Sequence, residues 1–298
     1  AAAHHASASR LLALAQWIAQ HTGASIGYLG EAANSVGAQL VGALPGVNGL
    51  NAGQMLTQGM PALLLLHVEP EFDAANAPAA RAALQRSGLV VALTSFKDAM
   101  VENADVLLPV APFTETAGSF VNAEGRLQAF TGVVPPLGET RPAWKVLRVL
   151  GNLLGLSGFE HDNAEQVRIE AIGDASAVAA RLDNRTDVPL APIAPATGAV
   201  QRIADVPIYA TDALVRRAPS LQRTADARAP LAGLPSALWA ELGLRAGEPV
   251  RIVQDAHTLI IAAVEDPGLA AGVVRVPAGH IDTIALGPMF GPITVTRA

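Results

Sequence analysis

Short apolar runs of strand length alternate with segments of helical pattern over the first third of the chain. The runs fall at 24–29, 62–68, 89–94 and 106–110. Between the second and third, residues 76–87 place Ala80, Ala83 and Leu84 on one helical face and Arg81, Gln85 and Arg86 on the other. Ahead of the first run, Leu11, Leu14, Ala15 and Ile18 form one stripe, which predicts a helix over 10–21. Strands alternating with helices are the pattern of βαβ units and a parallel sheet covered by helices. The first half, 1–160, therefore reads as an open, parallel-sheet α/β domain of Rossmann-like type.

The alternation stops at 111–140, where Gly118, Gly125, Gly132, Pro135, Pro136 and Gly138 predict a long irregular loop. A helix is expected from Pro142, with Trp144, Leu147, Leu150 and Leu154 on its buried face. Residues 161–205 turn rich in Ala, Pro and Asp, with a weak helical stretch near 163–182 closed by Pro189, Pro192 and Pro195. This is the expected linker. Beyond it, strand-like runs at 249–253, 258–264 and 273–276 are separated by turn signals such as Asp266-Pro267-Gly268. Residues 206–298 are thus expected to form a small β-barrel domain.

Composition narrows what such a fold does. The 298 residues are 51% hydrophobic and carry 20 basic against 26 acidic side chains, with no basic run that could neutralise a phosphate backbone. Nucleic acid is not an expected partner. The longest apolar runs, 62–66 and 259–264, fall short of the roughly 18 to 20 residues that span a bilayer, so no direct membrane insertion is expected. Cysteine is absent, which excludes disulfides and thiolate-held iron–sulfur clusters within these residues. Because helical pattern begins almost at once and the chain starts with Ala1, it reads as a segment of something longer.

Candidate chemistry is sparse. Gly23, Gly27, Gly30 and Gly37 invite a dinucleotide reading but lack the leading G-x-G spacing and a following acidic residue, and tight turns explain them better. His4 and His5 have no further ligands beside them and make a poor metal site. The second run ends in His67-Val68-Glu69-Pro70-Glu71-Phe72-Asp73, whose three carboxylates repel an anion and are suited to a basic patch on a partner. No nucleophile elbow accompanies His67, which reads as a packed histidine. His257 reads as a turn residue, His280 as a hydrogen-bonded surface residue or part of a remnant pocket, and Trp17, Trp144 and Trp239 as core.

The most distinctive stretch is Ala104-Asp105-Val106-Leu107-Leu108-Pro109 followed by Glu115, Gly118, Asn122, Glu124, Gly125, Arg126 and Gln128 at fixed spacing. It resembles the signature of the molybdopterin oxidoreductase superfamily. Physically, the two glycines permit turns that side chains would block, Asn122 can tie down backbone, and Glu115, Glu124 and Arg126 can make charge-assisted hydrogen bonds. The runs 32–38, 112–122 and 138–150 are similar to one branch, the large iron–sulfur subunit of respiratory complex I. The resemblance implies a non-catalytic region, with no catalytic or metal residue here and a vestigial family motif at 115–128. It implies NADH:quinone oxidoreductase activity only for the whole assembly. Iron–sulfur clusters would lie in a preceding segment, the other peripheral-arm subunits would be the partners, and the complex would sit on the cytoplasmic face of the membrane. Pterin-binding relatives carry a Gly-x-Asn-Pro-like turn where this chain has His67-Val68-Glu69-Pro70. A carboxylate there would oppose a diphosphate, so molybdopterin is not expected. The alternatives are a true pterin-cofactor domain and a generic binding module.

Overall fold

The computed structural model describes His5, residues 7–192 and residues 198–298. Helix α1 (Ala8–Thr22) ends at Gly23, whose left-handed φ of 72° closes the last turn. Two short helices follow, α2 (Ser35–Leu40) and α3 (Ala52–Gln58), the latter opened by a reciprocal capping box between Asn51 and Gln54. Strand β1 (Ala62–Leu66) leads through α4 (Pro70–Asp73) and α5 (Ala77–Arg86) into β2 (Leu89–Thr94) and then β3 (Val106–Pro109). The three strands form a parallel sheet in the order β1-β2-β3.

The sheet register explains its burial. Leu63 pairs with Val90 and packs with Leu84 of α5, backed by Met60, Leu65 and Ala104. Ala80, Ala83 and Leu84 are buried, as the helical stripe requires, and Asn76 caps α5 by accepting from Ala79 N. Side chains alternate across a strand, so the opposite face carries Leu64, Leu66, Leu89 and Val106, all of which are exposed. The run at 24–29 adds no strand to this sheet. Gly27 and Gly30 favour an irregular path, Leu29 is 99% exposed, and the segment is tied to 184 by bonds from Tyr28 Oη to Asn184 O and from Asn184 Nδ2 to Ile26 O.

The expected irregular loop contains an antiparallel hairpin, β4 (Gly118–Val121) and β5 (Leu127–Phe130). Its alternating positions are too few to register as strands beside so many glycines and prolines. Helix α6 (Ala143–Leu153) follows with Pro142 as N-cap; Trp144, Leu147 and Leu150 are half-buried, whereas Leu154 lies past the helix end and is 65% exposed. Trp17 is likewise largely exposed, against expectation, and stacks on His21. Helix α7 (Ala164–Ile172) and two 3-10 turns account for the weak helical stretch; Pro195 lies outside the described residues.

The second half begins earlier than 206. Strand β6 (Gln201–Ile203) belongs to a seven-stranded sheet and is followed by α8 (Ala213–Arg216), α9 (Pro219–Gln222), β7 (Ala232–Leu234), α10 (Ser236–Leu242), β8 (Pro249–Gln254), β9 (His257–Glu265), β10 (Val273–Arg275), β11 (Gly291–Pro292) and β12 (Thr294–Arg297). The strand order is β11-β6-β10-β7-β9-β8-β12. Because β11 and β12 are separated by a single residue yet lie at opposite ends of that order, the sheet curls back on itself into a nearly closed barrel. Val250, Ile252, Ile261, Ala263 and Val274 fill it. His257 is the first residue of β9, paired with Gln254 across a two-residue turn in which Asp255 takes a φ of 51°.

Arg202 of β6 is 1% exposed inside this apolar barrel. Its guanidinium donates to the carbonyls of Val276, Pro277, Gly287 and Pro288 and to Gln254 Oε1, at 2.9 to 3.3 Å. Burial pulls its pKa down to about 10, which leaves it charged at neutral pH. One side chain thereby gathers the carbonyls of the barrel's closing segment, of which Pro288 O is shared with Gln254 Nε2. Arg202→Ala is expected to cost about 3 kcal/mol or more in urea unfolding, the sum of stranded acceptors and a cavity; a loss below about 1 kcal/mol, the scale of one ordinary hydrogen bond, would contradict this role.

Candidate functional site

The carboxyl ends of parallel strands are where open α/β sheets form crevices. Here they face the segment that leads into the barrel. After β1 the backbone turns sharply at His67, a non-glycine residue at φ 52°, and Pro70 then starts α4. This turn brings Glu69 inward to 3% exposure. Glu69 N donates to Asp73 Oδ2 at 2.7 Å, so the two carboxylates are presented side by side.

Two consecutive arginines of the second half meet them. Arg216 Nε and Nη2 donate to Glu69 Oε2 at 3.1 and 2.9 Å, and Nη1 donates to Asp73 Oδ1 and to Ala210 O. Arg217 Nη1 lies 2.7 Å from Glu69 Oε1, while Nη2 reaches Asp98 Oδ2 at 3.3 Å. The Arg217 contact is one of charge without alignment, because Glu69 Oε1 has no properly directed hydrogen-bond donor. Each guanidinium also lies over an aromatic ring, Arg216 on Phe72 and Arg217 on Phe96. The acidic cluster thus meets a basic patch on its own chain.

Two cavities flank the ion network and share His67 and Asp212. One, of about 460 Å³, is lined by Phe96, Phe113 and Trp144 together with Glu69. The other, of about 660 Å³, opens between the halves and is lined by Glu31, Asp73 and Asp205 as well as Ala278 and Gly279. Among the described residues, no Lys or Arg lines either. Most polar groups of the first are already used: Ser95 Oγ donates to Val110 O, Thr94 Oγ1 accepts from Phe96 N, and Asp212 caps α8 through Leu214 N and Val215 N. The barrel approaches closely, since Met289 N donates to Ala75 O and a Cβ at Gly279 would press on Phe72 O and Val206.

The seven motif residues of 115–128 lie off both cavities, although Thr116 and Ala117, which fall between them, line the first. Asn122 Oδ1 accepts from Glu124 N and Arg126 N and closes the turn of the β4–β5 hairpin, while Glu115 Oε2 accepts from Leu137 N. Gly125 has φ 79°, and any Cβ there would meet Ala179 backbone at 2.6 Å. At Gly118 the constraint is the Phe130 ring instead. Glu124 is exposed and bonded only to Asn122; Arg126 and Gln128 are exposed, and neither makes a side-chain hydrogen bond or ion pair among the described residues. Of the seven motif residues none lines either cavity. The hairpin is anchored by Val121 N donating to Asn34 Oδ1, an approach possible only because Gly37 leaves room for the Asn34 side chain.

His5 Nδ1 accepts from Ser7 N, and His4 lies outside the described residues; no cluster of metal-ligating side chains occurs among those described. His280 sits 3.5 Å from Asp282 and is hydrogen-bonded to its backbone, as one of its two expected readings required. The adjacent Arg216-Arg217 pair was the signal that pattern reading passed over.

Residues 1–153 match the molybdopterin oxidoreductase family. Among curated proteins, an NADH-quinone oxidoreductase subunit of Mycobacterium bovis is 43% identical over 91 residues, 29% of this chain and 11% of that protein. The probable oxidoreductase YjgC of Bacillus subtilis is 34% identical over 90 residues, 30% of this chain and 9% of its own length. The chain thus spans about a tenth of these relatives. In fold, it superposes on acetylene hydratase from Pelobacter acetylenicus with a TM-score of 0.57 and 14% identity, covering 82% of this chain and 46% of that one.

Two outcomes check the site. Arg216→Ala leaves the 3%-exposed Glu69 with one misaligned partner and is expected to lower unfolding free energy by about 3 kcal/mol, against the 1 kcal/mol or less of an exposed pair. A loss in that lower range would contradict a buried network. Burial also holds His67 below its ordinary value of 6.5. The unfolded chain therefore takes up this proton first, and the group withdraws stability as the pH falls through 6.5 toward the folded value. A proton NMR titration should give His67 a midpoint below 6.5, and a midpoint at or above it would contradict the account.

Proposed function

Because this chain belongs to the molybdopterin oxidoreductase family, we propose that it is a cofactor-free, non-catalytic supporting region of a NADH-quinone oxidoreductase large subunit. The observation that carries this is the acidic cleft closed by Glu69, Arg216 and Arg217. A molybdopterin brings phosphate, and a nucleotide form brings a diphosphate. The crevice at the strand ends offers carboxylates from Glu31, Glu69, Asp73, Asp205 and Asp212 and no lining cation, while the nearest guanidiniums are held by Glu69. The residues present do not fit that group, and no chemical step is assigned to them.

In this reading the parallel sheet is a Rossmann-like unit and the seven-stranded sheet a double-psi-like barrel, both kept for their shape. The motif at Glu115, Gly118, Asn122, Glu124, Gly125, Arg126 and Gln128 serves the hairpin and is vestigial toward a cofactor. The exposed sheet face of Leu64, Leu66, Leu89 and Val106 supports packing against neighbouring peripheral-arm subunits, since parallel sheets are ordinarily covered on both faces. Iron–sulfur clusters held by thiolates would lie outside this cysteine-free chain. No helix among the described residues is long and apolar enough to cross a membrane. Association with the cytoplasmic face of the membrane would run through the rest of the complex. A pterin-holding domain is the less favoured reading because of the cleft's charge.

The test is to place Arg216→Glu with Arg217→Glu in the encoding organism. Assembled complex, measured on native gels of membranes, should fall at least several-fold while NADH:quinone turnover per assembled complex stays unchanged. Unchanged assembly with reduced turnover per complex would overturn the supporting role.

A further inference from the structure

Arg216 and Arg217 are held by more than Glu69. Arg216 is fixed by Ala210 O, Asp73 and the Phe72 ring; Arg217 is fixed by Ala213 O, Asp98 and the Phe96 ring. With those contacts made, Arg216 Nε and Nη2 donate to Glu69 Oε2, and Arg217 Nη1, which also donates to Ala213 O, lies against Glu69 Oε1. Two guanidinium forks facing one point are matched to an oxyanion, carboxylate or phosphate alike. Glu69 Oε1 lies 2.7 Å from Arg217 Nη1 without an aligned donor. Glu69 also lines the cavity of about 460 Å³, so removing its side chain opens the seat to solvent.

We propose that Arg216 and Arg217 form a phosphate-type oxyanion seat that Glu69 fills in cis, keeping external phosphate and pyrophosphate groups out. This deepens the reading of a cleft closed to phosphate-bearing ligands and rests on the same ion network. Asp73 and Asp98 take part of the positive charge, and the groups that face Glu69 are Arg216 Nε and Nη2 and Arg217 Nη1, the last with one N–H on Ala213 O. A tetrahedral anion with three free oxygens can give each of these nitrogens its own acceptor, whereas the fixed Glu69 carboxylate takes two of them on Oε2 and leaves Oε1 without an aligned donor.

The test is isothermal titration of the 298-residue chain with sodium pyrophosphate. Glu69→Ala should bind one equivalent at least roughly tenfold more tightly than the parent, the scale of one charge pair gained. Pyrophosphate should raise the melting temperature of that variant and leave the parent's unchanged. Glu69→Ala combined with Arg217→Ala should lose the gain. Equal binding by parent and single variant would overturn the proposal, as would a gain that survives loss of Arg217. Should Glu69→Ala not fold, Glu69→Gln keeps the side chain's volume and removes its charge, and absence of any gain there would overturn the proposal equally. The titration reads anion binding and the native gels read complex amount, so either idea can fail while the other stands.

Discussion

A carboxylate that has been taken almost wholly out of water must be answered by charge, and Glu69 is answered from the other half of the chain. Desolvating such a group costs several kcal/mol, so the fold is committed to bringing Arg216 and Arg217 to the end of β1. That requirement places α8 over the sheet's carboxyl edge and sets Asp212 and Leu214 as the cleft's roof. It also explains why the turn tolerates a left-handed His67: the strained residue is what turns Glu69 inward. The network adds little net free energy over an apolar contact of similar size. Its consequence is geometric, because it ties Arg216 and Arg217 to the end of β1.

Each half carries its own apolar core, and the two differ in how they deal with buried polarity. The sheet of β1, β2 and β3 buries one face on α5 and leaves Leu64, Leu66, Leu89 and Val106 open. The barrel is closed more fully and, among the described residues, buries Arg202 without a carboxylate partner, its fork gathering the carbonyls of the chain's returning segment. Arg202 finds carbonyls and Arg216 finds carboxylates, so the same side chain serves a closing strand in one place and a junction in the other. Contacts from Met289 to Ala75 and from Gly279 to Phe72 bring the barrel against the loop that holds Glu69.

Much of this was legible where periodicity is strong. The stripe of Ala80, Ala83 and Leu84 on α5, the runs that became β1, β2 and β3, and the turn-bounded strands of the barrel all follow from local pattern. The run at 24–29 had strand-like apolarity, but nothing local reveals that Gly27 and Gly30 and a tie to Asn184 keep it from the sheet. The hairpin of β4 and β5 was hidden by glycines whose reasons are tertiary: Phe130 against Gly118, Ala179 against Gly125. The site was half legible. Glu69 was visible as an acidic residue in an unsuitable place for a diphosphate, yet its partners lie 147 and 148 positions further on. No spacing rule connects residues so distant, although an Arg-Arg pair in an otherwise lightly charged chain was available as a signal.

The crevice at the strand ends is proposed to be closed to a molybdopterin. That proposal is tested most directly by acid extraction of the purified chain, with fluorescence detection of released pterin and elemental analysis for molybdenum and tungsten. The account predicts neither pterin nor either metal above background. Pterin approaching one equivalent per chain would contradict it, and would mean that the carboxylate at Glu69 does not exclude the cofactor's phosphate.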